Sequence, residues 1–223
     1  MMTFHRTLVI VAIIFFGHFK VHLVESKTWI WQGALMPTSI RFSVKTDEQE
    51  EFKIVAVNKE RRDISFARRL DLSASLESLR VLKDENEIDP SVRFNNSAVK
   101  AFHMILEGLQ PDAEYTWSAT GEIHGRFQTP PRTGTRYNFT FAFGSCADND
   151  SDHVLFSLIP HNQNPLFMIH TGDLHYGNLK QNDIRAYASM YDRTLLRPNQ
   201  AHMFQHLPVV YMWDDHDYGP NSK

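Results

Sequence analysis

Three short apolar segments in the last third of the sequence constrain the fold more than any other feature. They are NFTFAF, PLFMIH and LPVVYMW, and in the last two polar side chains are almost absent. Two segments of helical character separate them: DHVLFSLIP, ended by Pro160, and NDIRAYASMYDRTLL, which places Ile184, Tyr187, Tyr191 and Leu195 on one helical face. Apolar strands joined by helices are typical of a parallel sheet covered on both faces. The order β-α-β-α-β therefore predicts an α/β fold here.

The part of the chain before these segments has a different pattern. Ile40, Phe42 and Val44 alternate with polar residues, which is the period of a strand with one buried face. Further short strands and polar turns, the last ended by the prolines of GRFQTPP, predict a small all-β sandwich of the fibronectin type III kind. We assign residues 27–131 to this β-sandwich domain and residues 136–223 to the α/β domain.

Charge and the first residues of the chain indicate where the protein acts. The formal net charge is -3 and the basic residues are scattered, so no nucleic-acid-binding face is expected. Residues 1–26 have the pattern of a secretory signal peptide, with an apolar run from Leu8 to Phe16. That run is shorter than the ~20 residues that cross a bilayer, so no transmembrane span is expected after its removal. We therefore expect a secreted glycoprotein. It has three N-glycosylation sequons, at Asn95, Asn138 and Asn149.

Reactive side chains directly follow each apolar segment. The first segment leads to Cys146, the single cysteine of the chain, and the second leads to Asp173 and Tyr176. The third leads to a cluster of acids with an imidazole and an amide: Asp214, Asp215, His216, Asp217 and Asn221. Parallel strands end at the same edge of a sheet, where open α/β folds bind their ligands. So many carboxylates near one point require a cation, because like charges otherwise raise each other's pKa or repel.

The donor types indicate two kinds of cation. Thiolate and phenolate groups beside a carboxylate favour a trivalent or borderline ion such as iron. Carboxylate and amide oxygens suit a harder divalent ion such as calcium or magnesium. The sequence therefore predicts a mixed metal centre at the strand ends.

Simpler interpretations exist for several of these residues. Cys146 taken alone is typical of an inert buried side chain, and Asp173 of a turn after a glycine. His175 is either a neighbour of the metal site or an exposed loop residue. The acidic loop 148–152 resembles the start of an EF-hand but lacks the glycine and glutamate of that motif. We interpret it as a solvated loop that caps the helix after it.

Other aromatic and imidazole side chains are expected to be structural. Two tryptophans are assigned to the core of the β-sandwich: Trp29 and Trp31. Three histidines are expected to be packed or solvated bystanders: His153, His161 and His170.

Three motifs carry a family resemblance. FGSC, HTGDLHY and WDDHDYGPN, in this order after a β-rich region, resemble the PhoD-type alkaline phosphatases, a branch of the calcineurin-like metallophosphoesterases. The resemblance is specific over the motifs and weak over the N-terminal region. It implies a metallophosphatase-type α/β sheet, and a metal-dependent phosphoesterase that contains iron and calcium and hydrolyses small-molecule phosphate esters.

The resemblance also implies metal ligands. Cys146, Asp173 and Tyr176 are expected to bind iron, with Asp173 shared with the second metal. Asp215 occupies the place of a metal-binding asparagine of the superfamily, and Asn221 is expected to bind calcium.

The catalytic residues follow from the same motif. His216 takes the place of the catalytic histidine, which stabilises or protonates the departing oxygen. Asp214 or Asp217 is expected to orient its ring.

The last residue, Lys223, precedes the further metal-binding motifs that the family carries. We therefore expect the N-terminal half of a metallophosphatase domain, truncated after its third strand. Two functions stay open at this point. One is a secreted phosphoesterase that needs the remaining chain for activity, and the other is a non-catalytic secreted binding protein that uses the β-sandwich.

Overall fold

A computed structural model describes most of the chain. The described residues are 28–48, 51–62, 65–71, 100–120, 122–148, 151–181 and 183–219. The expected signal peptide 1–26, the sequon residues Asn95 and Asn149, and the expected calcium ligand Asn221 lie outside them.

Strands dominate the described part of the chain. They are β1 (Trp29–Met36), β2 (Ser39–Thr46), β3 (Glu51–Asn58), β4 (Ser65–Asp71), β5 (Lys100–Glu107), β6 (Glu114–Ala119), β7 (His124–Gln128), β8 (Ala142–Gly144), β9 (Met168–His170) and β10 (Val209–Tyr211). The helices are α1 (Leu155–Leu158), a 3-10 turn (Ile159–His161), α2 (Ile184–Leu195), α3 (Pro198–His206) and α4 (Asp215–Tyr218). None of these helices is long and apolar enough to span a membrane.

The strands form two sheets. One is antiparallel with the order β4-β3-β6-β7, and the other is mixed with the order β5-β2-β1-β10-β9-β8. In the mixed sheet, β5, β2 and β1 are antiparallel, whereas β1, β10, β9 and β8 run in parallel. The contact between β1 and β10 pairs Gly33 with Val209. The regions 27–131 and 136–223 therefore share one sheet, and their assignment as separate domains stays a prediction.

The first apolar core lies between the antiparallel part of the mixed sheet and the four-stranded sheet. As the alternation predicts, Ile40, Phe42 and Val44 of β2 are at most 1% exposed. Across the core, the Trp117 ring of β6 meets Phe42 edge-on, with ring centroids 5.1 Å apart. The predicted strands at these positions are confirmed, and burial of each such side chain contributes about 1.5–3 kcal/mol.

Strand β1 is covered on both faces. Ile30 lies in the first core, whereas Trp29 and Trp31 pack against a second core between the parallel strands and the helices. The expectation that both tryptophans belong to the sandwich core is therefore wrong. The indole N–H of Trp29 donates a hydrogen bond to the Asp192 carboxylate of α2 at 2.9 Å, so this strand also positions a helix of the α/β part.

The parallel strands appear where the apolar segments predict them, but their burial differs from the prediction. Met168 and Val209 are 5% and 4% exposed and pack beneath α2 and α3. On the opposite face, Phe143 and Val210 are 69% and 55% exposed. The expectation of a sheet covered on both faces is wrong for the part of the chain described, because the helices found there pack on one face only.

Helix α2 is confirmed, and α3 is an addition to the predicted elements. The Asp183 side chain caps α2 by accepting from the backbone N–H of Arg185 at 2.9 Å. Helix α3 begins at Pro198, where a proline in the first turn is compatible with a helix and does not break it.

The acidic loop before α1 caps a different helix from the one predicted. Its residue Asp152 accepts the backbone N–H of Asn199 in α3 at 2.7 Å, whereas α1 has no side-chain cap. The expectation that the loop caps the helix after it is therefore wrong. Because α3 lies next to α1, the carboxylate reaches the later helix across this contact.

Four histidines meet where α3 packs against β7. This histidine cluster consists of His124 in β7, His161 at the end of the 3-10 turn, and His202 and His206 in α3. Burial, assisted by the three neighbouring imidazoles, lowers the pKa of His206 to about 4. The bond between its ring and the His202 carbonyl acts in the opposite direction but is outweighed.

The depressed pKa of His206 predicts a loss of stability in mild acid. The unfolded chain binds a proton at His206 more readily than the folded chain. The contribution of neutral His206 to the free energy of unfolding is therefore complete above about pH 6.5 and is lost as the pH falls toward about 4. We expect a loss on the order of 2 kcal/mol, measured by urea unfolding at several pH values in the presence of a chelator. His206→Gln should flatten this pH dependence, whereas the exposed control His103→Gln should not. Equal slopes in all three proteins would refute the assignment.

Candidate metal centre

The candidate site lies at the carboxyl ends of the three adjacent parallel strands. Backbone hydrogen bonds join the loops that leave them. The Thr171 N–H donates to the Gly144 carbonyl at 3.0 Å, and the Cys146 N–H donates to the Gly172 carbonyl at 3.2 Å. The Met212 N–H donates to the carbonyl of His170 at 3.1 Å. These bonds extend the sheet into the loops and hold the three strand ends in register.

Left-handed backbone conformations aim the side chains at the edge of the sheet. Gly172 has φ +99, and a Cβ at this position would lie 2.5 Å from the backbone nitrogen of Asp214. Only glycine therefore allows the second and third loops to approach so closely. Cys146 and Asp173 have φ 60 and φ 54 although neither is glycine. Such conformations cost about 1–3 kcal/mol each and are concentrated at functional sites.

Asp173 is the centre of the arrangement and is only 6% exposed. Its Oδ2 accepts a hydrogen bond from the Tyr176 hydroxyl at 3.1 Å and lies 3.7 Å from the Cys146 sulfur. Its Oδ1 accepts the backbone N–H of His216 at 3.3 Å. One carboxylate thus contacts groups from all three strand ends. Cys146 itself is exposed, so the interpretation of an inert buried thiol is wrong.

Asp215 and His216 approach Asp173 from the third strand end, in α4. Each of the three residues offers one ligand atom, and these atoms all lie within 4.8 Å of one another. The Nδ1 atom of His216 is buried and, among the described residues, finds no hydrogen-bond partner. Two carboxylates, one imidazole with an unpaired nitrogen, a thiol and a phenol are a donor set that fits a metal ion.

Asp217 has a different environment from the one expected. Its Oδ2 accepts the backbone N–H groups of Asp173 at 2.8 Å and Asp214 at 3.0 Å, and its Oδ1 accepts that of Leu174 at 3.0 Å. Asp214 in turn accepts the N–H of Asp215 at the start of α4. The sequence suggested that one of these acids orients the His216 ring, whereas the geometry shows Asp217 joining the second loop to the third. It is a positioning residue for Asp173.

The Tyr176 ring lies against His216, with ring centroids 4.4 Å apart. Burial, together with the contacts to Cys146 and Asp173, raises the pKa of the Tyr176 hydroxyl well above its usual value. Tyr176 is therefore a neutral phenol in the protein alone. A cation beside Asp173 would lower the pKa of the Tyr176 hydroxyl and favour the phenolate.

Two contacts that the sequence does not predict hold the loop between Asp173 and α2. His175 is fully buried and packs edge-on against Tyr191 of α2, with ring centroids 5.1 Å apart. The hydroxyl of Thr194 donates to the Leu174 carbonyl at 3.1 Å. The alternative of an exposed loop histidine is therefore wrong for His175. His170, which was expected to be packed or solvated, is packed and 3% exposed.

Comparison with solved structures shows a shared fold. The chain is similar to the structure of PhoD, with a TM-score of 0.63 and 16% sequence identity over 84% of this chain. The match covers 38% of the PhoD chain, so this chain spans well under half of that protein. At this level of identity the likeness establishes a PhoD-like fold. No protein-family model matches the sequence, and no curated protein matches it.

Two other solved structures match more weakly. The sensor domain of the anti-sigma factor RsgI4 from Pseudobacteroides cellulosolvens matches with a TM-score of 0.34 and 8% identity, over 52% of this chain and 99% of that domain. A redesigned β-sandwich protein matches with a TM-score of 0.30 and 11% identity, over 49% of this chain and 93% of its own.

Proposed function

We propose that the chain carries part of the active centre of a secreted, metal-dependent phosphoesterase of the PhoD-like alkaline phosphatase type. One observation carries the proposal. Asp173, Asp215 and His216 come from the ends of two adjacent parallel strands and place their ligand atoms within 4.8 Å of one another. The PhoD-like fold and the three sequence motifs support it. In this proposal the sheet is of the metallophosphatase type, and the β-sandwich before it is fibronectin type III-like.

The donor set suggests how two ions would be held. The thiol of Cys146 and the phenol of Tyr176 both contact one oxygen of Asp173, and such soft and phenolic donors suit iron. Asp215, with Asn221 beyond the described residues, would provide oxygen donors for calcium. Asp173 lies between the two sets, which fits the role of a shared ligand.

The residues of the chain would act on a small phosphate ester in distinct ways. Cations held by these residues would supply charge that neutralises phosphoryl oxygens and would lower the pKa of a bound water molecule to about 7. His216 is held by its backbone bond to Asp173 and by the Tyr176 ring. Its imidazole is suited to stabilise or protonate the departing oxygen. Asp217 keeps Asp173 and His216 in register by bonding the backbone of both loops.

Hydrolysis of nitrophenyl phosphate esters tests the proposal. The chain, and a longer chain that continues past Lys223, are freed of metal with a chelator and assayed with iron and calcium, separately and together. We expect turnover in the longer chain to depend on added metal. His216→Gln should lower kcat by about 100-fold or more, while the exposed His103→Gln should have no effect. Metal binding without turnover in either chain would reject the enzymatic function, and activity that survives complete metal removal would reject the mechanism.

A further inference from the structure

The histidine cluster lies apart from the candidate metal centre. His202 and His206 are four residues apart on α3, just before β10 begins, whereas the metal centre follows the end of β10. His161 comes from the 3-10 turn, and His124 comes from β7 in the other sheet. We propose that His161, His202 and His206 form a second metal site, which binds a divalent transition ion of the Zn²⁺, Ni²⁺ or Cu²⁺ class. This site does not depend on the proposed phosphoesterase function.

Two of the ligand atoms are already at a metal-binding separation. The Nε2 atoms of His161 and His202 are 3.1 Å apart. Imidazole nitrogens bind zinc at about 2.0–2.1 Å, so two neighbouring nitrogens around one ion lie about 3–3.4 Å apart. One ion can therefore take both nitrogens without a movement of the backbone.

A hydrogen bond of the third ligand, His206, determines which of its ring nitrogens is free to bind a metal. Nδ1 of His206 lies 2.9 Å from the backbone carbonyl oxygen of His202. A carbonyl only accepts, so Nδ1 carries the proton and Nε2 keeps its lone pair in the neutral ring. Metal-binding histidines are commonly fixed in this way by a carbonyl or carboxylate on the other ring nitrogen. The His206 ring is stacked on His202 with ring centroids 3.9 Å apart. Its ligand atom is not grouped within 4.8 Å of the other two, so binding through Nε2 requires a change in the His206 side-chain torsions, which is part of the proposal.

The surroundings decide which ion is bound. The donors are imidazole nitrogens, which suit zinc, copper and nickel, whereas calcium and magnesium prefer oxygen. Burial lowers the pKa of His161 and His202, and the nearby Arg126 contributes to both shifts. The charge of Arg126 also opposes a cation. Its guanidinium donates to the carbonyl of Pro160, which fixes its position but leaves its charge in place. We therefore expect binding in the micromolar range and not the tighter binding of a structural zinc site.

An ion at this position would join α3 to the 3-10 turn. Helix α3 packs against β7, and a Cβ on Gly125 of that strand would overlap the Gln205 carbonyl of the helix. The junction between the sandwich and the α/β part is therefore closely packed beside the cluster. Because the ion binds the folded chain, it stabilises this junction by mass action.

Titration with Zn²⁺ alone tests the second site. Isothermal titration is performed on the chain with Asp173→Asn, which disables the candidate metal centre, and on the same protein with His161→Gln or His202→Gln added. We expect one bound zinc, an affinity that falls by about 10-fold or more in each double variant, and a thermal unfolding midpoint that zinc raises only when both histidines are present. The matched control His103→Gln should retain the affinity.

A second measurement keeps the test independent of the Asp173 variant. Electron paramagnetic resonance of Cu²⁺ added to the unmodified chain should show coupling to several imidazole nitrogens, and His202→Gln should reduce the number of nitrogens. Zinc affinity that is unchanged by His161→Gln and His202→Gln would overturn the proposal. So would a copper spectrum without nitrogen coupling, since the contact would then be an ordinary hydrogen bond between two rings.

Discussion

Replacement of Asp173 with asparagine is expected to abolish metal binding at the strand ends and, with it, phosphoester hydrolysis. Asp173 contacts Cys146, Tyr176 and the backbone of His216 through its carboxylate. The amide keeps the shape of the side chain but removes its negative charge and one acceptor oxygen. Loss of residues that only support a metal ligand costs 10–100-fold in affinity or activity, so loss of a shared ligand should cost about 100-fold or more. Metal analysis after dialysis and turnover of a nitrophenyl ester provide the two readouts.

The chain offers a closely matched control for this substitution. Asp112 has φ 54, the same value as Asp173, and it lies exposed in a turn of the β-sandwich. Asparagine tolerates this left-handed conformation well, so the backbone cost of both changes is equal. Asp112→Asn should keep full metal content and activity. If Asp173→Asn behaves like Asp112→Asn in both assays, Asp173 is not a metal ligand.

Replacement of Asp217 with alanine is expected to cause the largest loss of stability in the α/β part. Asp217 is 5% exposed, and its carboxylate accepts three backbone N–H groups from two loops. Alanine leaves these donors without their partner, and a buried unpaired donor costs about 1–3 kcal/mol. We expect the free energy of unfolding to fall by about 3–5 kcal/mol, measured by urea unfolding. Metal affinity should fall as well, because Asp173 loses the bond that fixes its backbone.

A second acid provides the comparison for Asp217. The Asp183 side chain also accepts a backbone N–H, but only that of Arg185, at the half-exposed start of α2. Asp183→Ala should cost about 1 kcal/mol, the usual effect of losing a helix cap. An Asp217→Ala protein no less stable than Asp183→Ala would show that the loops are held by other contacts.

Several features of the fold could be predicted because they depend on local pattern. One example is the alternation around Phe42, and another is the pair of apolar segments that form β9 and β10. Each pattern indicates the burial of one strand and can be read from the sequence of that strand alone. The shared sheet could not be predicted, because the strand pairing of β1 with β10 has a register of one residue pair, Gly33 and Val209. For the same reason Trp29 and Trp31 were assigned to the wrong core. Their strand is buried on both faces by elements distant in the sequence.

The candidate site was also predictable only in part. Strand order alone predicts that Asp173 and Asp215 approach each other, since parallel strands end at one edge. The contacts of Asp217 depend on how two loops pack, which follows from Gly172 and its close approach to Asp214. The histidine cluster was not predicted because its members come from three separate segments, and His161 was expected to be a bystander.

The central claim is that side chains at the ends of three parallel strands hold metal ions, and anomalous X-ray diffraction tests it most directly. Crystals of the chain grown with iron and calcium are measured at and below the iron edge. We expect an iron peak within coordination distance of Cys146, Asp173 and Tyr176, and a second peak beside Asp173 and Asp215. Ions bound only elsewhere on the molecule, or no ordered ion at saturating concentrations of both metals, would contradict the claim.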